Sequence, residues 1–290
     1  MTLSPHRSVF RIVLAVLALF MAIAAASGEP SDSRLKTIGD TKKVKIAYRS
    51  DAKPFSFVTE QQEPAGYTID LCKLVVKSLE QQMATPLGIE WIPVTTQDRF
   101  TAVADGAADM ECGSSTVTLG RMKEVDFSNY IFVENTALAV TAAASGIHGL
   151  ADLRGRKIAV ISGTTNEKAL ARALERRHVS ATIVQVGSRL EGMAALESGR
   201  VDAFASDRFL LGAMKTGVPV SLLPEDISTE PYAVALPRGD WAFRLAVNTA
   251  LAQTFRSGEV LNIFTKWFGG VAQRPNLLIG AVYLLGGLAD

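Results

Sequence analysis

The chain has 290 residues, 48% apolar and 20% charged, which supplies one large core or two ordinary ones and excludes a disordered tail; two domains are expected at this length. Thirty Lys and Arg stand against 29 Asp and Glu, a net charge of +1, so no extended field exists to hold nucleic acid, and none is expected as a partner. Two cysteines and three scattered histidines, His6, His148 and His178, exclude a disulfide scaffold and a four-cysteine zinc site, and neither a metal nor a cofactor is expected.

Arg7 and Arg11 precede an apolar run over 12–23 that exits through Ala24, Ala25 and Ala26. A basic start, an apolar stretch and a small-residue exit form the pattern of a cleaved secretory signal, so residues 1–26 are expected to be removed. The alternative, an uncleaved anchor, is disfavoured because the run is shorter than the roughly 20 residues that span a bilayer. Export would place Cys72 and Cys112 in an oxidising compartment, where a disulfide between them persists. Two buried free thiols are the other reading.

Residues 27–43 read as a polar lead. A strand follows over 44–48, and Pro54 and Gly66 punctuate the loop behind it. From Ile69 onward, Cys72, Val75, Val76, Leu79 and Met83 recur at helical spacing, and 89–94 returns as a strand. A short helix over 99–104, a strand near 109–112 and an apolar strand over 130–141 complete a first unit. The small-residue stretch 142–149 marks a boundary. Beyond it the cycle restarts with strands at 157–161, 181–186 and 202–206 and helices at 166–177 and 190–197. A strand over 232–236 and helices over 241–255 and 259–268 end the regular part. This βαβ pattern implies mainly parallel sheets flanked by helices. The tail 277–288 is apolar but too short to span a membrane. Packing along the first unit is expected of it, with a membrane or transporter contact as the alternative.

Polar residues gather at the predicted strand ends, where open α/β sheets bind ligands. Ser162, Gly163, Thr164 and Thr165 follow a strand and open a helix, so backbone N–H groups and the helix dipole would face an anion there. A plain N-cap at Thr164 or Thr165 is the other reading. The turn Gly113-Ser114-Ser115-Thr116, with Arg121, sets hydroxyls beside a guanidinium that can grip a carboxylate through two bonds. Asp207 lies between a strand and a helix, where it either accepts an ammonium group or caps the helix. Arg49 follows the first strand. Arg99 starts a helix, a position that favours acids over bases.

In chain order these residues fall into a recognisable set. It comprises Arg49 with Pro54-Phe55-Ser56, Gly-Tyr-Thr-Ile-Asp-Leu-Cys over 66–72, Thr-Thr-Gln-Asp-Arg over 95–99, Glu-Cys-Gly-Ser-Ser-Thr over 111–116 and Arg121. Ser-Gly-Thr-Thr over 162–165, Leu-Glu-Ser-Gly over 196–199, Asp207 and Lys266-Trp267-Phe268 continue it. The set resembles the amino-acid-binding periplasmic proteins of ABC uptake systems, solute-binding protein family 3, and in particular the glutamate/aspartate-binding branch, across 44–268.

The resemblance implies an α/β, two-lobe periplasmic-binding-protein fold of type II, each lobe a mainly parallel sheet, joined by a two-stranded hinge. Lobe 1 would take 44–140 plus 234–270, lobe 2 would take 141–233, and 271–290 would form a C-terminal tail. It implies a periplasmic monomer, not an enzyme, that captures an acidic L-amino acid and delivers it to an ABC permease at the inner membrane. By position, Arg121 would hold the ligand's α-carboxylate with help from the Thr164 region. Ser114, Thr116 and Asp207 would receive the α-ammonium, and Arg49, Thr96 and Arg99 the side-chain carboxylate. A Cys72–Cys112 disulfide also matches that branch.

One position departs from the pattern: where glutamate binders of that branch carry a histidine, this chain has Arg189. Four arginines against Asp207 would leave the site strongly positive. Either Arg189 points to solvent, an acid such as Glu191 balances it, or the ligand is more anionic. The competing class is a periplasmic enzyme on the same fold, such as a cyclohexadienyl dehydratase, which needs a carboxylic acid aimed into the cleft. Glu167 and Glu191 are the available candidates, both at helix starts where acids are ordinary.

Overall fold

Residues 33–289, apart from 143 and 145, are described by a computed structural model; the expected signal peptide, 1–26, lies outside the described residues. Ser33 caps α1 (Arg34–Thr41) by accepting the Leu35 N–H at 3.3 Å. Part of the expected polar lead is therefore helical. Of this helix only Ile38 is buried, too little apolar periodicity to announce a helix. Next come β1 (Lys43–Arg49), β2 (Asp51–Ala52), β3 (Ser56–Val58) and β4 (Pro64–Ala65). After them run α2 (Tyr67–Met83), β5 (Gly88–Val94), α3 (Arg99–Ala104), β6 (Met110–Glu111) and β7 (Asp126–Phe127). Gly66 starts α2 at φ 135°, and a Cβ there would lie 2.2 Å from the Phe55 carbonyl oxygen. Only glycine meets both demands.

The second group comprises β8 (Phe132–Thr141), β9 (Lys157–Ile161), α4 (Thr165–Arg176), β10 (Thr182–Val186) and α5 (Arg189–Glu197). It continues with β11 (Ala203–Asp207), α6 (Arg208–Gly212), β12 (Val220–Leu222) and β13 (Ser228–Tyr232). The chain then returns through β14 (Ala235–Leu236), α7 (Trp241–Arg256), α8 (Glu259–Phe268) and α9 (Leu277–Gly286).

Besides a small sheet β2-β3-β4 there are two larger ones, one with the order β5-β1-β6-β14-β7, the other β10-β9-β11-β8-β12 with β13 also on β8. Both are mixed. The β1–β5, β1–β6, β9–β10 and β9–β11 pairs are parallel, whereas β14 and β8 pair antiparallel with every neighbour. Helical crossovers produce the parallel halves; the strands that carry the chain between sheets produce the antiparallel ones.

Two expectations need correction. The strand over 132–141 belongs to the second sheet, not to the first unit that 44–140 was to form. Its first residue, Phe132, nevertheless packs in the first core, while Leu138 and Val140 pack in the second. The strand expected over 232–236 is two strands, β13 and β14, broken at Ala233 and Val234 because each half pairs with a different sheet. β8 and β13 run antiparallel with Phe132 opposite Tyr232, giving the two-stranded connection between lobes.

The first core is aromatic. Phe55, Tyr67, Phe132, Tyr232 and Phe268 meet with ring centroids about 5–6 Å apart. A disulfide joins Cys72 in α2 to Cys112 beyond β6, and both residues are fully buried. The tail packs along this core: Ile279 and Tyr283 of α9 are buried, and the Tyr283 hydroxyl lies 2.8 Å from that of Tyr67, which donates to the Ile131 carbonyl. Among the described residues no helix is long and apolar enough to cross a membrane.

Candidate functional site

The elements end where their polar residues meet. β1 delivers Arg49 at its last position, Thr96 follows β5, and Arg99 is the first residue of α3. Beyond β6 come Ser114 and Thr116, and Arg121 opens a single 3-10 turn, Arg121–Lys123. From the other lobe, Thr164 precedes α4, Arg189 is the first residue of α5, and Asp207 is the last of β11. These nine residues, all anticipated from the sequence, line one cavity together with Thr165 and Asn166. The cavity is narrow as it stands, about 20 Å³, far below the roughly 300–1,000 Å³ usual for small-molecule sites.

The lobes touch across this cavity. Thr116 Oγ1 and Thr165 Oγ1 are 3.3 Å apart. Arg189 reaches 138 residues back along the chain, donating from Nη1 to the Asp51 carbonyl at 3.0 Å and lying 3.5 Å from its carboxylate. Asp51 also accepts from Arg49 Nη2 at 2.5 Å. Arg189 Nη2 lies 4.0 Å from the Asp207 carboxylate.

Arg189 therefore does not point to solvent, being 5% exposed, and Glu191 does not balance it. The Glu191 carboxylate instead accepts the Gly187 N–H at 2.8 Å. Asp51 is the residue that sequence reasoning missed. It stands two positions after Arg49 at a strand end, which reads as an ordinary turn acid, and its partner in α5 is invisible to local patterning. Asn166 was likewise not placed at the site, and Thr165 was read only as part of the polar turn that opens the helix; a helix start rich in polar residues was the available signal.

Asp207 sits at the N-cap of α6 without making a cap hydrogen bond, so the plain capping reading fails. Its carboxylate accepts from Asn166 Nδ2 at 3.1 Å instead. Burial pushes its pKa up, opposed by Arg189. Thr164 does cap: its hydroxyl accepts the Glu167 N–H at 3.2 Å and donates to the Ile161 carbonyl. Glu167 accepts the Gly163 N–H at 2.8 Å, so both acids considered as proton donors serve backbone groups at helix starts and neither lines the cavity.

The remaining cations form a second pair. Arg99 and Arg121 lie over the Phe100 ring at 4.5 and 5.0 Å, a cation–π arrangement. Arg121 Nη1 donates to the Thr116 carbonyl at 2.7 Å, and Arg99 Nη1 donates to that of Thr96. Burial, with Arg121 next in size, pushes the Arg99 pKa down to about 9, which leaves it charged at neutral pH. Burial also lowers Arg49 and Arg121. Beneath them Glu111 is fully buried with no protein hydrogen-bond partner on either oxygen. Burial raises its pKa against the pull of Arg99 and Arg49.

Two mixed α/β lobes meeting on a small, arginine-lined cavity define a type II periplasmic-binding-protein fold. The chain belongs to the bacterial extracellular solute-binding proteins, family 3, whose family model matches residues 44–270. It is 34% identical to an L-glutamate/L-aspartate-binding protein of Pseudomonas aeruginosa over 262 residues, 88% of this chain and 85% of that protein. It is 30% identical to a glutamate/aspartate import solute-binding protein of Escherichia coli K12 over 272 residues, 91% of this chain and 90% of that one. Among solved structures it is similar to an ancestral amino-acid-binding protein, a precursor of cyclohexadienyl dehydratase. That pair has a TM-score of 0.71 and 28% identity, covering 81% of this chain and 99% of the other.

Proposed function

We propose that the chain is exported to the periplasm, captures an acidic L-amino acid, glutamate or aspartate, between its lobes, and delivers it as a monomer to an ABC permease at the inner membrane. The observation that carries this reading is the make-up of the cavity. Four guanidinium groups, the carboxylate of Asp207 and several hydroxyls complement a zwitterion with one further acid group, because a buried charge without a partner is costly. The names of the two relatives above support the ligand class.

In this reading Arg121 holds the α-carboxylate beside the helix start at Thr164. Ser114, Thr116 and Asp207 take the α-ammonium, whose charge would oppose the rise that burial gives the Asp207 pKa. Arg49, Thr96 and Arg99 surround the side-chain carboxylate, with Arg189 beyond them. A ligand gripped by both lobes favours the closed state only through contacts that both make at once, so hinge closure follows from binding. Titration calorimetry on the mature protein is expected to give tight binding of L-glutamate and L-aspartate and weak binding of L-glutamine. Equal affinity for glutamine would overturn the acidic pocket.

The likeness to a dehydratase precursor favours a second reading, catalysis in the same cleft. The binding reading expects no turnover of prephenate or arogenate by the purified protein; measurable turnover would replace it.

A further inference from the structure

The cavity is electrically divided. At one end Arg49 and Arg189, one from each lobe and each 5% exposed, share the Asp51 carboxylate, with Oδ1 at 2.5 Å from the first and Oδ2 at 3.5 Å from the second. At the other end Arg99 and Arg121 flank Phe100. Among the described residues neither of these two has a carboxylate within ion-pair distance; every ion pair in the cavity involves Asp51 or Asp207. Within ion-pair distance the protein thus supplies its own anion to half of its cations, while Glu111 acts on the other two from further away.

We propose that Asp51 is a specificity-determining residue. Its carboxylate takes up Arg189 and the Nη2 group of Arg49, so only Arg99 and the rest of Arg49 remain for a ligand's side-chain acid, and the site accepts an amino acid with one side-chain acid group while rejecting one with two. This inference rests on the acidic-amino-acid reading above and names what limits it. The physical reason is one of charge and place. A second side-chain carboxylate reaching Arg49 and Arg189 would have to approach Asp51, a like charge, or displace it from its hydrogen bond with Arg49 and its ion pair with Arg189. Asp51 also explains how Arg189 is tolerated in the second lobe, since a guanidinium buried there without a partner would be costly.

The test compares L-glutamate with L-γ-carboxyglutamate, which carries one more carboxylate on the same carbon chain, by titration calorimetry on the intact mature protein and on Asp51→Asn and Asp51→Ser. In the unmutated protein glutamate is expected to bind at least tenfold more tightly. In both variants the ratio of the two affinities is expected to move at least tenfold toward γ-carboxyglutamate, with glutamate binding retained. An unchanged ratio in folded variants, with glutamate still bound, overturns the role of Asp51 and leaves the acidic-amino-acid reading standing. Should the variants fail to fold, tighter binding of γ-carboxyglutamate than of glutamate by the unmutated protein overturns the proposal, and the reverse order supports it. Failure of the unmutated protein to bind glutamate or aspartate removes the broader reading and this inference with it.

Discussion

The core of the first lobe closes around the rings of Phe55, Tyr67, Phe132, Tyr232 and Phe268 and a fully buried disulfide, whereas that of the second is assembled largely from Ala137, Ala139, Ala159, Ala203, Ala205 and branched aliphatics around Phe204. The division extends to the cavity. The first lobe contributes Arg49, Arg99 and Arg121, and the second contributes Asp207, Thr164 and a single cation, Arg189. A heavily anchored lobe carries the concentration of like charge; a lobe of small side chains, which allow close packing of helices on the sheet, carries the anion and the helix start. Mutual repulsion among three arginines needs a scaffold that does not yield.

The largest expected effect tests the anchoring. Cys72 and Cys112 are 40 residues apart in sequence, and in the chain-entropy model losing their bridge costs about 4 kcal/mol. Reduction, or the double change Cys72→Ser and Cys112→Ser, should lower the urea midpoint and speed amide exchange in α2 and β6 while β9 and β11 keep their protection. Equal loss of protection in both lobes would mean that they unfold as one unit and that the contrast has no thermodynamic content.

A smaller effect should appear on the opposite side. A Cβ on Gly192 would meet the Phe204 ring at 2.5 Å, so Gly192→Ala forces the sheet and α5 apart and is expected to cost about 1–3 kcal/mol. Amide exchange should then accelerate in α5, β9 and β11 and not around the disulfide. Protection unchanged in the second lobe would show that its packing yields where the first does not.

The smallest effect lies between the lobes. Glu134 in β8 faces Glu230 in β13, and its carboxylate accepts the Asn135 and Phe209 N–H groups at 2.8 and 3.2 Å. Burial, followed by the Asp207 charge, raises its pKa well above the usual range, with Arg208 opposing. The folded chain thus holds this proton more tightly than the unfolded one. The associated stability is present below the ordinary carboxylate range and is lost as pH rises through the folded value. Glu134→Gln cannot titrate, so denaturation between pH 5 and 8 should show a shallower decline than in the unmutated protein, whatever the absolute stability. An identical slope would move the pH dependence to other acids.

Much of this arrangement was legible because short-range chemistry dictates it. The βαβ periodicity places Arg49, Arg99, Thr164 and Asp207 at strand or helix ends, and those ends converge in any such sheet. Two kinds of feature were not legible. Strand β8 crosses from one lobe to the other without a break, since Phe132 and Leu138 are both simply apolar although they serve different cores, so the boundary falls earlier than the small-residue stretch suggests. Asp51 becomes a site residue only through Arg189, a contact between lobes that no local pattern encodes.

The contact between Tyr283 and Tyr67 bears on the order of assembly. The second sheet draws its strands from one continuous run, β8 to β13, whereas the first combines β1, β5, β6 and β7 with β14, and its core also takes in α7, α8 and finally α9. For a chain emerging from its N-terminus, the lobe that begins first is the one that finishes last. Until residues 277–286 arrive, the aromatic interior keeps an open side, so loss of the last dozen residues would injure the first part of the molecule to be made.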